Sequence, residues 1–114
     1  MDVTTEQVGT VSVVRVSGQL DSSTAEAFEG RMRQLGETAG TRLVLDMERV
    51  AYVSSAGLRV VLSLFKQVKA HGGALVLAAV HPRVQDILEI AGFTTILSVA
   101  PTTAAAVASL SQAR

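Results

Sequence analysis

Cysteine is absent from this 114-residue chain, which removes disulfides, thiolate nucleophiles and cysteine-based metal sites together. The lack fits a reducing compartment. Neither charge is in surplus: ten Lys and Arg balance ten Asp and Glu, with no long block of one sign. The basic stripe of a nucleic-acid binder is therefore missing, and direct contact with nucleic acid is not expected. No apolar run approaches the ~20 residues that span a bilayer. Met1-Asp2-Val3-Thr4 lacks the cationic and apolar regions of a signal peptide. A soluble, cytoplasmic protein without a membrane span is expected. Internal repeats, linkers and low-complexity stretches are missing too. Apolar residues, by contrast, make up 48% of the chain, and a domain of this size buries roughly 60–70% of its unfolded surface. Residues 1–114 read as one domain with one core.

Hydrophobic periodicity alternates between strand and helix. Residues around Asp2–Gln7 and the valine-rich Val11–Val16 flank Gly9, the pattern of two strands and a turn. Ser23-Thr24-Ala25-Glu26 has the form of a capping box, and Ala25, Phe28, Met32 and Leu35 follow on one helical face. Gly36 to Gly40 ends that helix. Leu43-Val44-Leu45 is a continuous apolar strand of the kind buried on both faces. The second helix carries a stripe of Leu58, Val61, Leu62, Phe65 and Val68 and stops at Gly72-Gly73. Ala74 to Val80 is another buried strand. Pro82 opens a third helix with Val84, Ile87, Leu88 and Ala91 inward and Gly92 as its stop. Ile96 to Val99 reads as a short strand and the Ala-rich tail from Pro101 as a last helix. This order predicts an α/β fold: a mixed sheet with parallel crossovers and about four packed helices.

The informative stretch runs from Asp46 through Val53-Ser54-Ser55-Ala56-Gly57-Leu58. It leaves a buried strand and enters the strongest helix through two serines. A serine there can cap the helix, its hydroxyl accepting from a free N–H. The sharper alternative is a regulated phosphorylation site, because a helix N-terminus offers donors and partial positive charge to a phosphate. Asp46 reads as an acceptor that ends a strand and stabilises the loop. Hydrolase chemistry fares poorly: Gly-x-Ser-x-Gly is not present, and His71 and His81 stand at element ends. Two histidines without paired spacing do not make a metal site, and Gly72-Gly73 is a turn rather than a phosphate cradle. On the second helix Val60 falls outside the apolar stripe, among Arg59, Ser63 and Gln67, which makes it a candidate interface residue.

The run Ser54-Ser55-Ala56-Gly57-Leu58, with Asp46 upstream, resembles the signature of the STAS-domain anti-sigma factor antagonists. Gly18-Gln19-Leu20-Asp21 resembles that family's lead into its first helix, and Glu89-Ile90-Ala91-Gly92-Phe93 its segment after the third. The resemblance implies a single STAS-like domain and a partner-switching role. In that family the unmodified antagonist binds an anti-sigma factor that is itself a serine kinase, freeing a sigma factor. The kinase phosphorylates the motif serine, which dissociates the pair, and a PP2C-type phosphatase reverses the modification. Carried over by position, the acceptor is Ser55. Ser54 stands where many members have Asp and is a competing acceptor, and Ala56 stands where many have Ser or Thr. The implied partner surface comprises Asp21, Ser54, Ser55, Ala56, Arg59, Val60 and Ser63. Asp21 matches a family acidic residue and also suits a helix-entry turn. No catalytic group, cofactor or metal is expected. The alternative is a non-switching scaffold or sensor-complex subunit that uses the same fold without phosphorylation.

Overall fold

Five strands form one sheet whose spatial order, β1 to β5, is also their order in the chain. The computed structural model describes residues 1–37 and 40–111. β1 (Asp2–Val8) turns through Gly9, at φ +61°, and pairs antiparallel with β2 (Val11–Ser17). β3 (Arg42–Arg49), β4 (Ala74–Ala78) and β5 (Ser98–Ala100) extend the sheet in parallel. The crossovers are α1 (Ala25–Gly36), α2 (Ser55–Ala70) and α3 (Pro82–Ile90), and α4 (Thr103–Ser111) follows β5. Right-handed crossovers stepping one strand at a time in one direction place every connecting helix on the same face. Phe28 and Met32 of α1, Leu64 of α2 and Leu88 of α3 accordingly share one core cluster. The other face belongs to α4, whose Ala106 and Leu110 cover Val11, Val13, Val44 and Val76.

The apolar run in β3 is explained by its central place. Leu43, Val44 and Leu45 are all fully buried; Leu43 and Leu45 face α1 to α3, and Val44 faces α4. This is the mixed α/β sheet with four helices that the sequence predicts.

Several local expectations are corrected. Val60 is buried, at 6% exposure, and belongs to the core. Leu62 and Phe65, placed in the stripe, are only half-buried. α2 lies against both the sheet and α1: Val60 and Leu64 line a small cleft with Met32 and Arg33, and the Gln67 side chain donates to the Arg33 carbonyl at 3.1 Å. A helix buried on two sides has an apolar arc too wide to give one phase. Val60 is therefore not an interface residue, and an aspartate there would put a charge into the α1–α2 seam. Ala91 is exposed rather than inward. The last strand starts at Ser98, because Phe93–Thr95 forms a single 3-10 turn first. β3 continues three residues past Asp46, so Asp46 does not end it. Of the stretch Gly36 to Gly40, Thr38 and Ala39 lie outside the described residues, as do Gln112, Ala113 and Arg114.

Candidate functional site

The site is built from two chain segments leaving the C-terminal ends of β2 and β3. They are laced together by backbone bonds: Gly18 N–H to the Arg49 carbonyl at 3.2 Å, Leu20 N–H to the Tyr52 carbonyl at 3.2 Å, and Ser54 N–H to the Leu20 carbonyl at 2.8 Å. Leu20 and Val53 form a parallel bridge and are both buried. The lacing fixes Ser54 in an extended conformation (φ −84°, ψ 174°) as the N-cap of α2. Its hydroxyl oxygen accepts from Gly57 N–H at 3.3 Å, and its carbonyl accepts from Leu58 N–H at 2.9 Å. Ser55 is the first helical residue and is exposed, and among the described residues its hydroxyl has no intramolecular partner. The two readings of the serine pair therefore apply to different residues. Ser54 is the cap, and Ser55 holds the free hydroxyl.

Gly57, a residue to which the sequence reading gave no role of its own, explains how closely the helix approaches the loop. A Cβ there would stand 2.6 Å from the Leu20 carbonyl oxygen, 2.9 Å from Leu20 Cβ and 3.0 Å from Val53 Cγ1. Only a residue without a side chain lets the first turn of α2 seat against Leu20. The signal was present: a glycine in the first turn of an otherwise strong helix is costly unless something must come close.

Asp21 is committed to its own turn. Its Oδ1 accepts from the Ser23 N–H at 2.9 Å and the Ser23 hydroxyl at 2.6 Å, and its carbonyl accepts from Thr24 and Ala25 N–H. The Ser23 hydroxyl, then its backbone N–H, hold the Asp21 carboxyl below the usual aspartate range. Thr24 is the N-cap residue of α1 but makes no side-chain cap; its hydroxyl donates to the Gln19 carbonyl at 2.7 Å and accepts from Asp21 N–H. The capping box expected from Ser23 and Glu26 does not form, because Asp21 takes the Ser23 hydrogen bonds. Half-buried, and adjacent to Leu20, Asp21 braces the segment that carries Ser54.

Asp46 is the one polar or charged residue buried among the described residues, at 7% exposure. It sits at an irregularity: Arg15 pairs with Asp46 but Ser17 with Arg49, so β3 carries one extra residue. Asp46 Oδ1 accepts from Glu48 N–H at 3.0 Å, giving the bulged backbone a partner, and Oδ2 lies 3.6 Å from Arg15 Nε. Asp46 is thus an acceptor inside a bulge rather than at a strand end. The one-residue slip sets which carbonyl, that of Arg49, meets Gly18.

Of the remaining candidates, Arg59 and Ser63 are exposed and Ala56 half-buried. Ser55, Arg59 and Ser63 recur every four residues and so form one line along α2. Arg59 makes no ion pair among the described residues. His71 closes α2, its ring Nδ1 2.8 Å from the Gln67 carbonyl, and His81 caps α3 by accepting from Arg83 N–H at 3.3 Å. The structure brings Ser54, Ser55, Ala56 and Asp21 to one edge and turns Val60 away from it.

Fold and site together define a small α/β module that presents a serine at a helix start, and the profile of the STAS domain matches residues 2–106. The chain belongs to the STAS-domain family and, within it, to the anti-sigma factor antagonists. It is 36% identical to a Bordetella bronchiseptica protein named anti-sigma factor antagonist BtrV, over 99% of this chain and 97% of that one. Its fold is similar to that of the anti-sigma factor antagonist SpoIIAA in its unphosphorylated form, with a TM-score of 0.80 at 22% identity over 99% of both chains. SpoIIAA in the phosphorylated form, a Bacillus cell fate determinant, matches with a TM-score of 0.72 at 22% identity, over 95% of this chain and 98% of that one. Proteins of this kind are non-enzymatic regulators. No helix among the described residues is long and apolar enough to cross a membrane.

Proposed function

We propose that this chain is a cytoplasmic partner-switching regulator. Unmodified, it docks a serine-kinase anti-sigma factor through the edge around Ser55 and so releases a sigma factor. The kinase then transfers the γ-phosphoryl group of ATP to Ser55. The Ser55 oxygen bonds to phosphorus as the bond to the β,γ-bridging oxygen breaks, ADP leaves, and the hydroxyl proton passes to a base on the kinase. A PP2C-type phosphatase hydrolyses the ester and restores the binding form.

The observation that carries this reading is the division of labour between the two serines. Ser54 is held in the cap, while the Ser55 hydroxyl is exposed and has no partner among the described residues. A phosphate on Ser55 breaks no internal hydrogen bond, and at a helix start its charge is stabilised by about 0.3–1 kcal/mol. Against a docked protein surface the same roughly −1.5 to −2 charges must lose water. A buried charge without a partner costs about 2–5 kcal/mol, or roughly 30- to several-thousand-fold in affinity. The domain keeps its fold while the complex comes apart.

The test is incubation with a candidate anti-sigma kinase and Mg-ATP, followed by intact mass and site mapping. One phosphate is expected on Ser55, persisting in Ser54→Ala and lost in Ser55→Ala. Affinity for the kinase should fall at least about tenfold on modification while the thermal midpoint barely moves. Tight binding without any modification would favour a non-switching scaffold instead.

A further inference from the structure

We infer that Tyr52 is an anchor of the docking surface, its ring entering an apolar pocket of the anti-sigma factor kinase whose far end offers a hydrogen-bond acceptor. The inference rests on the proposed switch at Ser55 and names a residue that contacts the partner.

Tyr52 is 48% exposed, and its hydroxyl has no intramolecular hydrogen-bond partner among the described residues. Its backbone, by contrast, is fixed. The Tyr52 carbonyl accepts from Leu20 N–H at 3.2 Å, and two residues on Ser54 N–H donates to the Leu20 carbonyl at 2.8 Å. Val53 between them is turned into the core at 2% exposure. Side chains alternate along extended chain, so Tyr52 points outward. A large amphipathic ring on a pinned backbone loses only two side-chain torsions when it is covered, which is why tyrosine is enriched where binding energy concentrates.

Reach brings Tyr52 within the footprint of a partner docked on Ser55. Three residues of chain span at most about 11 Å, so Tyr52 lies within that distance of Ser55. A standard interface covers about 800 Å² per partner, a disc of roughly 16 Å radius. The footprint of a kinase centred on Ser55 is therefore wide enough to take in Tyr52. The other strongly exposed apolar side chains do not compete for this place. Ile90, at 88% exposure, ends α3, and Ile96 precedes β5. Both stand at the edge where the parallel strands begin, opposite to the edge of Ser55. Met1 stands beside Gly18, near the Ser55 edge, but has no pinned backbone of this kind. Arg59, on the same side as Ser55 and without an ion pair among the described residues, supplies the charge that selects an acidic group on the partner.

The test measures affinity for the kinase used in the phosphorylation assay, with wild type, Tyr52→Ala and Tyr52→Phe. Thermal midpoints serve as the fold control. Tyr52→Ala should melt like wild type and bind at least about tenfold more weakly. Tyr52→Phe should lose no more than about fivefold, the share of one neutral hydrogen bond. Tyr52→Ala binding within twofold of wild type, while wild type still binds and is phosphorylated, would overturn the inference alone. A wild-type chain that bound no anti-sigma kinase would overturn the switch, and the anchor with it.

Discussion

Three helices of this domain open on a run of hydroxyl residues, α4 among them through Thr102 and Thr103, and the starts of α1 and α2 are used in opposite ways. At α1, Ser23 and Thr24 spend their hydroxyls on Asp21 and on the Gln19 carbonyl, so both are consumed within one turn. At α2, Ser54 takes the cap and Ser55 is left over. A helix has one N-cap position, and a second serine behind it has no backbone donor to satisfy. A free hydroxyl in the first turn of a helix is what a modifying enzyme needs, and at α1 neither Ser23 nor Thr24 supplies one. The difference lies in the neighbours. An aspartate two residues upstream of Ser23 absorbs it, whereas Val53, upstream of the α2 serines, is apolar and faces the core.

Three experiments bear on this contrast, in decreasing order of expected effect. Gly57→Val attacks the closeness of the second start. The added carbons meet the Leu20 carbonyl, a backbone atom that cannot swing away. A loss of about 3 kcal/mol is predicted, at the upper end of overpacking costs, read by chemical denaturation. An unchanged midpoint would mean that α2 does not sit on Leu20. The serine pair comes next. Ser54→Ala should cost about 1 kcal/mol through the lost cap, and Ser55→Ala should stay within about 0.5 kcal/mol, as for other surface changes. Equal losses for the two would erase the distinction on which the site rests.

The smallest effect belongs to acid and to the first start. The donors around Asp21 lower its carboxyl relative to the unfolded chain. Its contribution is therefore fully present above the ordinary aspartate value of about 3.9 and is lost as pH falls through the lower folded value. Amide exchange at the start of α1 should quicken on acidification below that point. Asp21→Asn should remove this acid step, and a step of equal size in the variant would assign it to another carboxylate.

Much of this was legible before any coordinates. The period of two in β2, the continuous run in β3 and the stop at Gly72-Gly73 follow from local chemistry, and the order of elements then leaves few topologies. The serine motif was legible as a place, with its two meanings undivided. What escaped depends on neighbours far along the chain. As a cap Ser23 would accept from a helix N–H, whereas here its hydroxyl and N–H both donate to Asp21, and the sequence does not decide between the two. The phase of α2 was misread because Val60 is buried by α1, which the stripe on α2 alone does not reveal. The extra residue beside Asp46 exists only relative to β2, so no pattern within β3 could announce it. Gly57 looked like a flaw in a good helix until Leu20 was set against it.

The strand order carries a consequence in time. Every strand pairs with the one made just before it, as Val11 with Arg42, Arg42 with Ala74 and Val76 with Ser98. The sheet can therefore grow behind the ribosome one βα unit at a time, with no strand waiting on a distant partner. The far face is the exception. Val11 and Val13 emerge early, yet their cover, Ala106 and Leu110, belongs to α4, which is made after all five strands. Until α4 docks, a nascent chain shows a bare valine surface, and it is during that interval that a chaperone has most to hold.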